Sequence, residues 1–555
     1  MRIIKILFLI IVFVLFVLLT GDSIFHESNL NNNVEAESIA EPDGNPEDDS
    51  AAASYADEST AFTIFKYVTI ILYFLIIFIL CIYGFHRLVL VILYNIHKND
   101  VTTKPPLPAA ADLPFVTIQL PLFNERTVAE RSILAMNKIE YPLNKFEVQV
   151  LDDSTDDTVE LCMELVVQLV KNGVDAVHIH RTDRTGYKAG ALENGMKVAK
   201  GEFIAIFDAD FIAPENFLKD MMPYFQDEKI GMVQSRWDHI NREYSQLTKT
   251  QAVMLDAHFV IEHFARNRSG RLFNFNGTAG IWRKQAILDA GGWEHETITE
   301  DMDLSYRAQL KGWKFLFVPE VTAPAELPVE MDAFKSQQYR WSKGSTQVCF
   351  KMLPTILKSN QPLKVKAEAF IHLTANFSYL LMLFLSILMV PAIYARLGGS
   401  WRDMLMFDMP VFILGTLSVL DYFITSQRAI GREFGSSLKN SLFVLAVGMG
   451  LSINNARAVL SACLRRESPF VRTPKYGISG KDQHDESQKK IKRYRPQKSI
   501  IPYIEVIFGL YFAASIIWAF IVFAWPSIPF LLLFCVGYLY NGGLSIHERR
   551  RREKN

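Results

Sequence analysis

Residues Phe203-Ile204-Ala205-Ile206-Phe207-Asp208-Ala209-Asp210 place a short apolar strand directly before two carboxylates. Two similar apolar runs precede this one, at 116–121 and at 146–151, and Asp152 and Asp153 follow the second of them. Sequence of helical character lies between the runs. Short strands that alternate with helices predict a mostly parallel α/β sheet. Ligands of such sheets bind beyond the carboxyl ends of the strands, which is where both acidic clusters lie.

Asp208 and Asp210 are spaced so that both carboxylates face one way and offer hard oxygen ligands. This pattern is typical of a site that holds Mg²⁺ or Mn²⁺ together with the oxygens of a substrate diphosphate. No soft ligand lies nearby, which argues against zinc. A carboxylate after a strand can also cap the next helix, and the acidic run that begins at Asp152 fits that alternative in part.

Thr299-Glu300-Asp301 is a second acidic motif, and Asp303 follows it. Acidic residues favour the first turn of a helix, so the motif could be structural. It could equally supply the general base that a sugar hydroxyl needs in order to attack, and Asp301 is our candidate for that base.

A single lysine and a motif that contains an arginine complete the set of candidate residues. Lys188 is either a surface lysine of a loop or a cation for phosphate groups. Gln337-Gln338-Tyr339-Arg340-Trp341 fits an amphipathic interfacial helix with an aromatic belt residue. In a functional interpretation, Arg340 binds a diphosphate leaving group and Trp341 stacks on a sugar ring.

The composition of the chain indicates a membrane protein. Of its 555 residues, 50% are hydrophobic, and the mean hydropathy is +0.13. The net charge of -1 argues against a nucleic-acid partner, since such proteins usually carry a basic excess. The five cysteines are far apart and contain no CxxC pair, which argues against a zinc site or a disulfide framework.

The first 350 residues divide into four parts by charge and hydropathy. Residues 1–21 are predicted to be a membrane anchor or a signal segment. Residues 22–61 are acidic, lack Lys and Arg, and are predicted to form a disordered linker outside the cytoplasm. Residues 62–98 are long and apolar enough for a transmembrane helix. Residues 112–350, which contain the acidic motifs, then form a cytoplasmic catalytic domain.

The rest of the chain is predicted to return to the membrane. Residues 351–437 are a transmembrane region with spans at 366–392 and 408–425. Residues 438–463 have basic sequence on both sides, so the positive-inside rule places them along the cytoplasmic interface. A cytoplasmic loop and basic linker at 464–498, a transmembrane pair at 499–545 and a basic cytoplasmic tail at 546–555 follow.

Taken in order, these motifs resemble those of processive family-2 glycosyltransferases of the cellulose synthase-like superfamily. The resemblance implies a GT-A fold and an inverting transfer from a nucleotide-diphosphate hexose, a UDP- or GDP-sugar, to a growing glycan chain. The motifs that carry it are Asp152-Asp153, Asp208-Ala209-Asp210, Phe275-Asn276-Gly277-Thr278, Thr299-Glu300-Asp301 and Gln337-Gln338-Tyr339-Arg340-Trp341.

The resemblance also implies a role for each matched residue. Asp208 and Asp210 would bind the metal and the phosphates, Asp301 would be the base beside Glu300 and Thr299, and Asp152 would contact the nucleotide base. The remaining substrate-binding candidates are Asp153, Lys188, Gln234, Arg236, Trp237, Asn276, Gly277, Thr278, Gln337, Gln338, Arg340 and Trp341.

Residues 470–475 are similar to the gating loop of cellulose synthases, F-x-V-T-x-K, with Arg472 in place of the valine. Phe470, Thr473 and Lys475 are the matched positions. We expect this loop to close over the donor, with Thr473 and Lys475 reaching the diphosphate. The alternative is a basic loop that binds anionic lipid head groups.

Asn276 stands where cellulose synthases usually have cysteine, and the stretch 275–283 looks more like plant mannan and xyloglucan-backbone synthases. The expected product is therefore a β-glucan or a β-mannan. An enzyme that adds one sugar to a lipid is the alternative, and a transporter or sensor with an inactive transferase domain is a third reading. We expect a bacterial inner-membrane location, contacts with membrane lipid, and envelope export subunits as candidate partners.

Overall fold

The computed structural model describes residues 47–100, 102–397, 412–466, 473–478 and 499–554. The predicted anchor or signal at 1–21, most of the predicted linker, Phe470 and most of the basic linker lie outside these described residues.

The predicted catalytic domain, residues 112–350, contains a mixed sheet that has seven strands within the described chain, in the order β3-β2-β1-β4-β6-β5-β7. Neighbouring strands are parallel except at β6, which is antiparallel to both β4 and β5. The predicted mostly parallel sheet is therefore confirmed. The strands are β1 Val116–Leu122, β2 Phe146–Asp152, β3 Asp175–His180, β4 Phe203–Ile206, β5 Ile230–His239, β6 Gly280–Arg283 and β7 Lys314–Ala325.

Helices cover both faces of this sheet and connect it to a set of apolar helices. The helices up to the end of the sheet are α1 Glu47–His97, α2 Arg126–Leu134, α3 Thr158–Lys171, α4 Tyr187–Met196, α5 Phe217–Met221, α6 Gln246–Ala257, α7 Phe264–Arg268, α8 Lys284–Asp289 and α9 Glu300–Leu310. A π-helical turn, His258–His263, joins α6 to α7. The later helices are α10 Met331–Lys358, α11 Leu363–Thr374, α12 Phe377–Ala395, α13 Ser418–Ala429, α14 Phe434–Gly450, α15 Ser452–Cys463, α16 Ile501–Ile521 and α17 Ile528–Lys554.

The sheet is buried on both faces, which explains why its strands are apolar without alternation. Every residue of β1, β2 and β4 is buried. One core cluster packs α2, α3 and α5 on the sheet, and a second packs α4, α8 and α9 on the opposite face. This two-sided packing holds the strand ends rigidly, and the candidate residues follow those ends.

Four helical segments within the described chain are long and apolar enough to cross a membrane: Thr60–His97, Phe377–Ala395, Ile501–Ile521 and Trp525–Glu553. Helices α12, α15, α16 and α17 share an apolar core of their own. Helices α14 and α15, which cover the stretch predicted to be interfacial, form a pair bent by 48° that could be a broken span or a re-entrant loop.

Two predicted boundaries differ from the helices of the structure, and a third cannot be compared. Helix α1 begins at Glu47, inside the predicted disordered linker, because an alanine-rich stretch extends an existing helix at little cost. The predicted span 366–392 is divided between α11 and α12. The predicted span 408–425 lies partly outside the described residues.

The predicted basic tail is the last part of α17, and it packs on the catalytic domain. Arg549 binds Asp332 with Nε 2.7 Å from Oδ2, and Arg552 binds Glu330 at 3.1 Å. Both acidic residues lie at the start of α10. These ion pairs join distant parts of the chain, so local sequence could not predict them.

Candidate active site

Lys188 joins two of the predicted motifs at the carboxyl end of β4. Its Nζ lies 2.5 Å from Oδ1 of Asp208 and 2.8 Å from the carbonyl oxygen of Gly277. The backbone N–H of Asp208 donates to Oγ1 of Thr278 at 2.9 Å. Burial alone would lower the pKa of Lys188, but the nearby carboxylates outweigh it and raise that pKa. Lys188 is therefore a firmly charged ammonium beside the candidate metal ligands.

Asp301 lies against this group at the start of α9. Gly277 has φ +82°, and a Cβ atom added to it would lie 3.0 Å from Oδ2 of Asp301, so only glycine fits there without strain. Oδ1 of Asp301 accepts from the backbone N–H of Met302 at 2.7 Å. Burial, together with the charge of Glu300, raises the pKa of Asp301 to about 7. A carboxylate with such a pKa is suited to accept a proton near neutral pH.

Residues 473–478, here called the docked segment, lie on the catalytic domain beside Asp210. Nζ of Lys475 is 2.5 Å from Oδ2 of Asp210, and Arg340 donates to Oγ1 of Thr473 at 2.8 Å. Glu326 accepts from the backbone N–H groups of Tyr476 and Gly477 at 2.8 and 3.1 Å. The docked segment therefore brings Lys475 to the carboxylate pair and Thr473 to the diphosphate candidate Arg340.

Asp208 and Asp210 fit a divalent cation by the chemistry of their donor atoms. Both offer carboxylate oxygens, and in the structure each carboxylate is balanced by a lysine ammonium. Asp152, His178 and His180 form a second group whose ligand atoms lie within 4.8 Å of one another. This second group stands at the ends of β2 and β3 and mixes nitrogen and oxygen donors, which suits other divalent ions.

Asp152 and Asp153 are buried and already paired. Oδ2 of Asp152 lies 2.9 Å from Nε2 of His178, and Oδ1 accepts from the N–H of Ser154 at 2.8 Å. Arg181 binds both oxygens of Asp153, at 2.8 and 2.6 Å. Hydrogen bonds to Asp152 lower its pKa although burial opposes them. The predicted contact of Asp152 with a nucleotide base stays a prediction.

Two other predicted residues hold the backbone around the site. Gln234 is fully buried and donates to the carbonyl oxygens of Ser235, Thr278 and Ala279, while its Oε1 accepts from the N–H of Asn276. Arg236 donates to the carbonyl of Pro319 at 3.2 Å. Gln234 thereby fixes the backbone of the Asn276–Thr278 motif, and Arg236 joins β5 to β7.

A cavity of about 790 Å³, here called the deep cavity, begins at Asp301 and continues between the apolar helices. Aromatic, amide and hydroxyl side chains of the predicted motifs line the end near Asp301: Trp237, Asn276, Thr299, Gln337, Gln338 and Trp341. Its walls further out come from α1, α12, α14 and the start of α17, among them Tyr73, Met389, Gly448 and Phe530.

A second cavity, of about 1060 Å³, lies on the other side of Glu300. Lys188 and Arg340 line it together with several further basic residues, among them Lys343, Arg457, Arg465 and Arg466. A positively charged cavity beside the candidate diphosphate residues is suited to anionic ligands.

Sequence reasoning missed several residues that the structure places at the site. His178 and Arg181 hold Asp152 and Asp153, and both follow from β3 running beside β2. Glu326, directly after β7, anchors the docked segment. β3 and β7 were not among the predicted strands, so the strand-end signal that located Asp208 could not locate these residues. Gln251 and His258 also line the deep cavity, but they lie in helical sequence without a distinguishing motif.

The protein family and the curated relatives that this chain resembles are glycosyltransferases. A family described as Glycosyltransferase like family 2 matches residues 114–344. Glucomannan 4-beta-mannosyltransferase 1 of Cyamopsis tetragonoloba is 34% identical over 424 residues, which are 74% of this chain and 78% of that protein. The rice protein of the same name (Oryza sativa subsp. japonica) is 41% identical over 278 residues, 49% of this chain and 53% of its own.

Among solved structures, the mannosyltransferase PcManGT from Pyrobaculum calidifontis, in complex with GDP-Man and Mn²⁺, aligns with 71% of this chain and 100% of its own. The TM-score is 0.47 and the identity 17%.

Proposed function

Because the chain belongs to the family-2 glycosyltransferases of the cellulose synthase-like type, we propose that it is a processive, inverting enzyme that polymerises a β-linked mannan or glucan. The GT-A fold and the hexosyltransferase class predicted from the sequence are confirmed by the family match. The names of the plant relatives favour mannose as the transferred sugar and a 4-β linkage.

The deep cavity carries the proposal. It starts at the candidate base Asp301 and the aromatic ring of Trp341, and it continues between helices that are long enough to cross a membrane. A cavity that extends from the candidate base into the apolar helices suits a glycan that stays bound while its end is extended. The transfer of a single sugar to a lipid would not need a cavity of this extent.

In the proposed reaction, Asp301 accepts the proton of the attacking hydroxyl group of the acceptor sugar. The hydroxyl oxygen attacks the anomeric carbon from the side opposite the nucleoside diphosphate, which leaves with inversion. Lys188 and Arg340 hold the negative charge that develops on this leaving group. Lys475 and Thr473 of the docked segment close the site from the cytoplasmic side.

A divalent cation held by Asp208 and Asp210 would neutralise charge on the diphosphate. Mg²⁺ and Mn²⁺ both suit the carboxylate oxygens. We expect EDTA to abolish transfer and either cation to restore it, and the rate of nucleotide release measures this. Full activity in EDTA would contradict the metal site.

The product assay tests the proposed function. Purified membranes are supplied with a panel of UDP- and GDP-hexoses, and the products are digested with linkage-specific hydrolases. We expect one hexose to enter a long product that a β-1,4-mannanase or β-1,4-glucanase degrades. A product that stays a single sugar on a lipid would contradict polymerisation.

We also propose that the chain is embedded in a membrane with the catalytic domain on the cytoplasmic side, since the basic segments flank the apolar helices. The plant relatives give no support to a bacterial source. Membrane lipid and the growing glycan remain proposed partners.

A further inference from the structure

The deep cavity contains buried polar atoms that have no hydrogen-bond partner among the described residues. Four of them belong to side chains that line the cavity together with Asp301: Nε1 of Trp237, Oε1 of Gln251, Oδ1 of Asn276 and Oγ1 of Thr299. Buried polar groups are normally paired, and leaving one unpaired costs free energy. Four such atoms around one cavity therefore point to a polar ligand.

The mixture of these atoms matches the chemistry of a sugar. An indole N–H can only donate, the two amide oxygens can only accept, and the threonine hydroxyl can do both. Sugar hydroxyl groups donate and accept in the same way, and the rings of Trp237 and Trp341 offer flat surfaces for the apolar faces of a hexose. Water could satisfy the same atoms one at a time.

Gln251 is 2% exposed and has a fixed orientation. Its Nε2 donates to the carbonyl oxygen of Pro328 at 2.8 Å and to that of Leu247 at 3.3 Å. Because the amide nitrogen is held by the protein backbone, the unpaired Oε1 is the atom that remains for a ligand. None of the site residues predicted from the sequence lies on α6.

His258 orients Asn276. Nδ1 of His258 lies 3.0 Å from Oε2 of Glu262, and Nε2 lies 2.9 Å from Nδ2 of Asn276. Burial and the nearby positive groups hold the pKa of His258 well below its usual value, so the ring is neutral. Since Glu262 can only accept, Nδ1 donates to it and Nε2 accepts from the amide of Asn276. His263 also lies beside Asn276, but its Nε2 donates to the carbonyl oxygen of Asn274 at 3.0 Å, so its neutral ring has no proton on Nδ1 to donate. Oδ1 of Asn276 is therefore left to accept from a ligand.

The histidine is itself anchored to the apolar helices. Glu262 forms an ion pair with Arg87 of α1 and accepts from the hydroxyl of Tyr422 of α13 at 2.8 Å. His258 opens the π-helical turn between α6 and α7, and such turns occur frequently at functional sites.

We propose that Gln251 and Asn276, together with Trp237 and Thr299, bind hydroxyl groups of the terminal sugars of the acceptor chain, and that His258 is a positioning residue for Asn276. This inference rests on the proposed function, since it takes a glycan as the ligand of the deep cavity. Gln251 and His258 thereby add one contact residue and one positioning residue to those predicted from the sequence.

The test compares Gln251→Met with the wild type and with Gln246→Met as the matched control. Gln246 is exposed on the same helix. Released nucleoside diphosphate and sugar incorporated into polymer are measured in the same reaction. In Gln251→Met, the ratio of donor hydrolysis to transfer should rise about tenfold, because a poorly held acceptor competes less well with water. Donor affinity should stay at the wild-type value, while the melting temperature should fall by a few degrees at most, because the buried carbonyl oxygen of Pro328 loses its donor.

His258→Phe should raise the same ratio. His258→Gln should restore it, because a glutamine can still donate to Glu262 and accept from Asn276. If Gln251→Met does not fold, Gln251→Asn is measured instead. Asparagine is shorter by one methylene group, so the ratio of donor hydrolysis to transfer should still rise above the wild-type value, but by less than tenfold.

A ratio unchanged in both Gln251→Met and His258→Phe would overturn the inference and leave water as the partner of these atoms. A parallel loss of donor affinity would overturn it as well, since the residues would then serve the donor. If the wild type itself extends no glycan from any donor, the proposed function fails, and the inference fails with it. The wild-type arm separates the two failures.

Discussion

At the scale of single residues, the chemistry depends on the surroundings of Asp301. Its carboxylate lies against Gly277 and close to Lys188, which also binds Asp208. Asp301→Asn keeps the shape of the side chain but cannot accept the hydroxyl proton. We expect transfer to fall by about a hundredfold or more, since a general base contributes about that much. Donor binding, measured by isothermal titration of the nucleotide sugar, should survive.

The control for this variant is Asp289→Asn, which changes an exposed aspartate at the end of α8. It should have wild-type activity. If Asp301→Asn loses donor binding as strongly as it loses turnover, the residue serves the donor and is not the base.

The raised pKa of Asp301 makes a prediction about pH. A base must be deprotonated to act, and burial with the charge of Glu300 raises this pKa to about 7. The value of kcat/KM should therefore fall as the pH falls through about 7. Glu300→Gln removes the neighbouring charge, so the pKa of Asp301 should decrease and the acid limb should move to lower pH. An acid limb that stays in place in Glu300→Gln would contradict this coupling.

At the scale of the structural element, the docked segment links the carboxylate pair to the end of the sheet. Lys475 is 6% exposed and binds Asp210, and its backbone carbonyl accepts from the hydroxyl of Thr127 at 2.6 Å. Lys475→Ala should weaken donor affinity or turnover by about 2 kcal/mol or more, the usual cost of truncating one member of a buried charge pair. The measurement uses purified enzyme in detergent, where a role in lipid anchoring would leave no catalytic defect.

Lys171→Ala, at an exposed position in the last turn of α3, is the control and should be silent. Proteolysis provides an independent measurement on the wild type. A nucleoside diphosphate with Mg²⁺ should slow tryptic cleavage after Lys475, because the bound ligand would hold the docked segment in the buried position that it has in the structure. Unchanged cleavage together with normal turnover of Lys475→Ala would contradict closure of the docked segment over the donor.

At the scale of the whole molecule, the deep cavity should be the path of the product. Gly448 of α14 lines it, and a Cβ atom added there would meet nothing within 4 Å, so a large side chain can enter the cavity. Gly448→Trp should reduce long product by about an order of magnitude, because a displaced chain end loses its reactive geometry. Donor hydrolysis should continue, since the donor side is untouched.

Gly435→Trp is a matched control on the same helix. It also has open space around it, but it is exposed and does not line the deep cavity. Products are compared by size-exclusion chromatography. Product of equal length from Gly448→Trp and Gly435→Trp would show that the glycan takes another path.

The local motifs could be predicted from the sequence because each one depends on a short stretch of chain. An apolar strand followed by carboxylates predicted both the parallel sheet and the edge at which Asp208 and Asp210 lie. Since parallel strands end at the same edge, motifs far apart in sequence could be placed together. The apolar runs likewise predicted most of the candidate spans, because span length is set by bilayer thickness.

The tertiary structure alone decided which of these residues are partners. It placed Lys475 on Asp210, Arg549 on Asp332 and Glu326 under the docked segment. It also showed that Gln234 supports the backbone, and that Gln251 has an unpaired oxygen in the deep cavity. Ion pairs and unpaired buried atoms depend on where distant segments meet and how closely they pack. Neither the ion pairs nor the unpaired buried atoms can therefore be predicted from a local residue pattern.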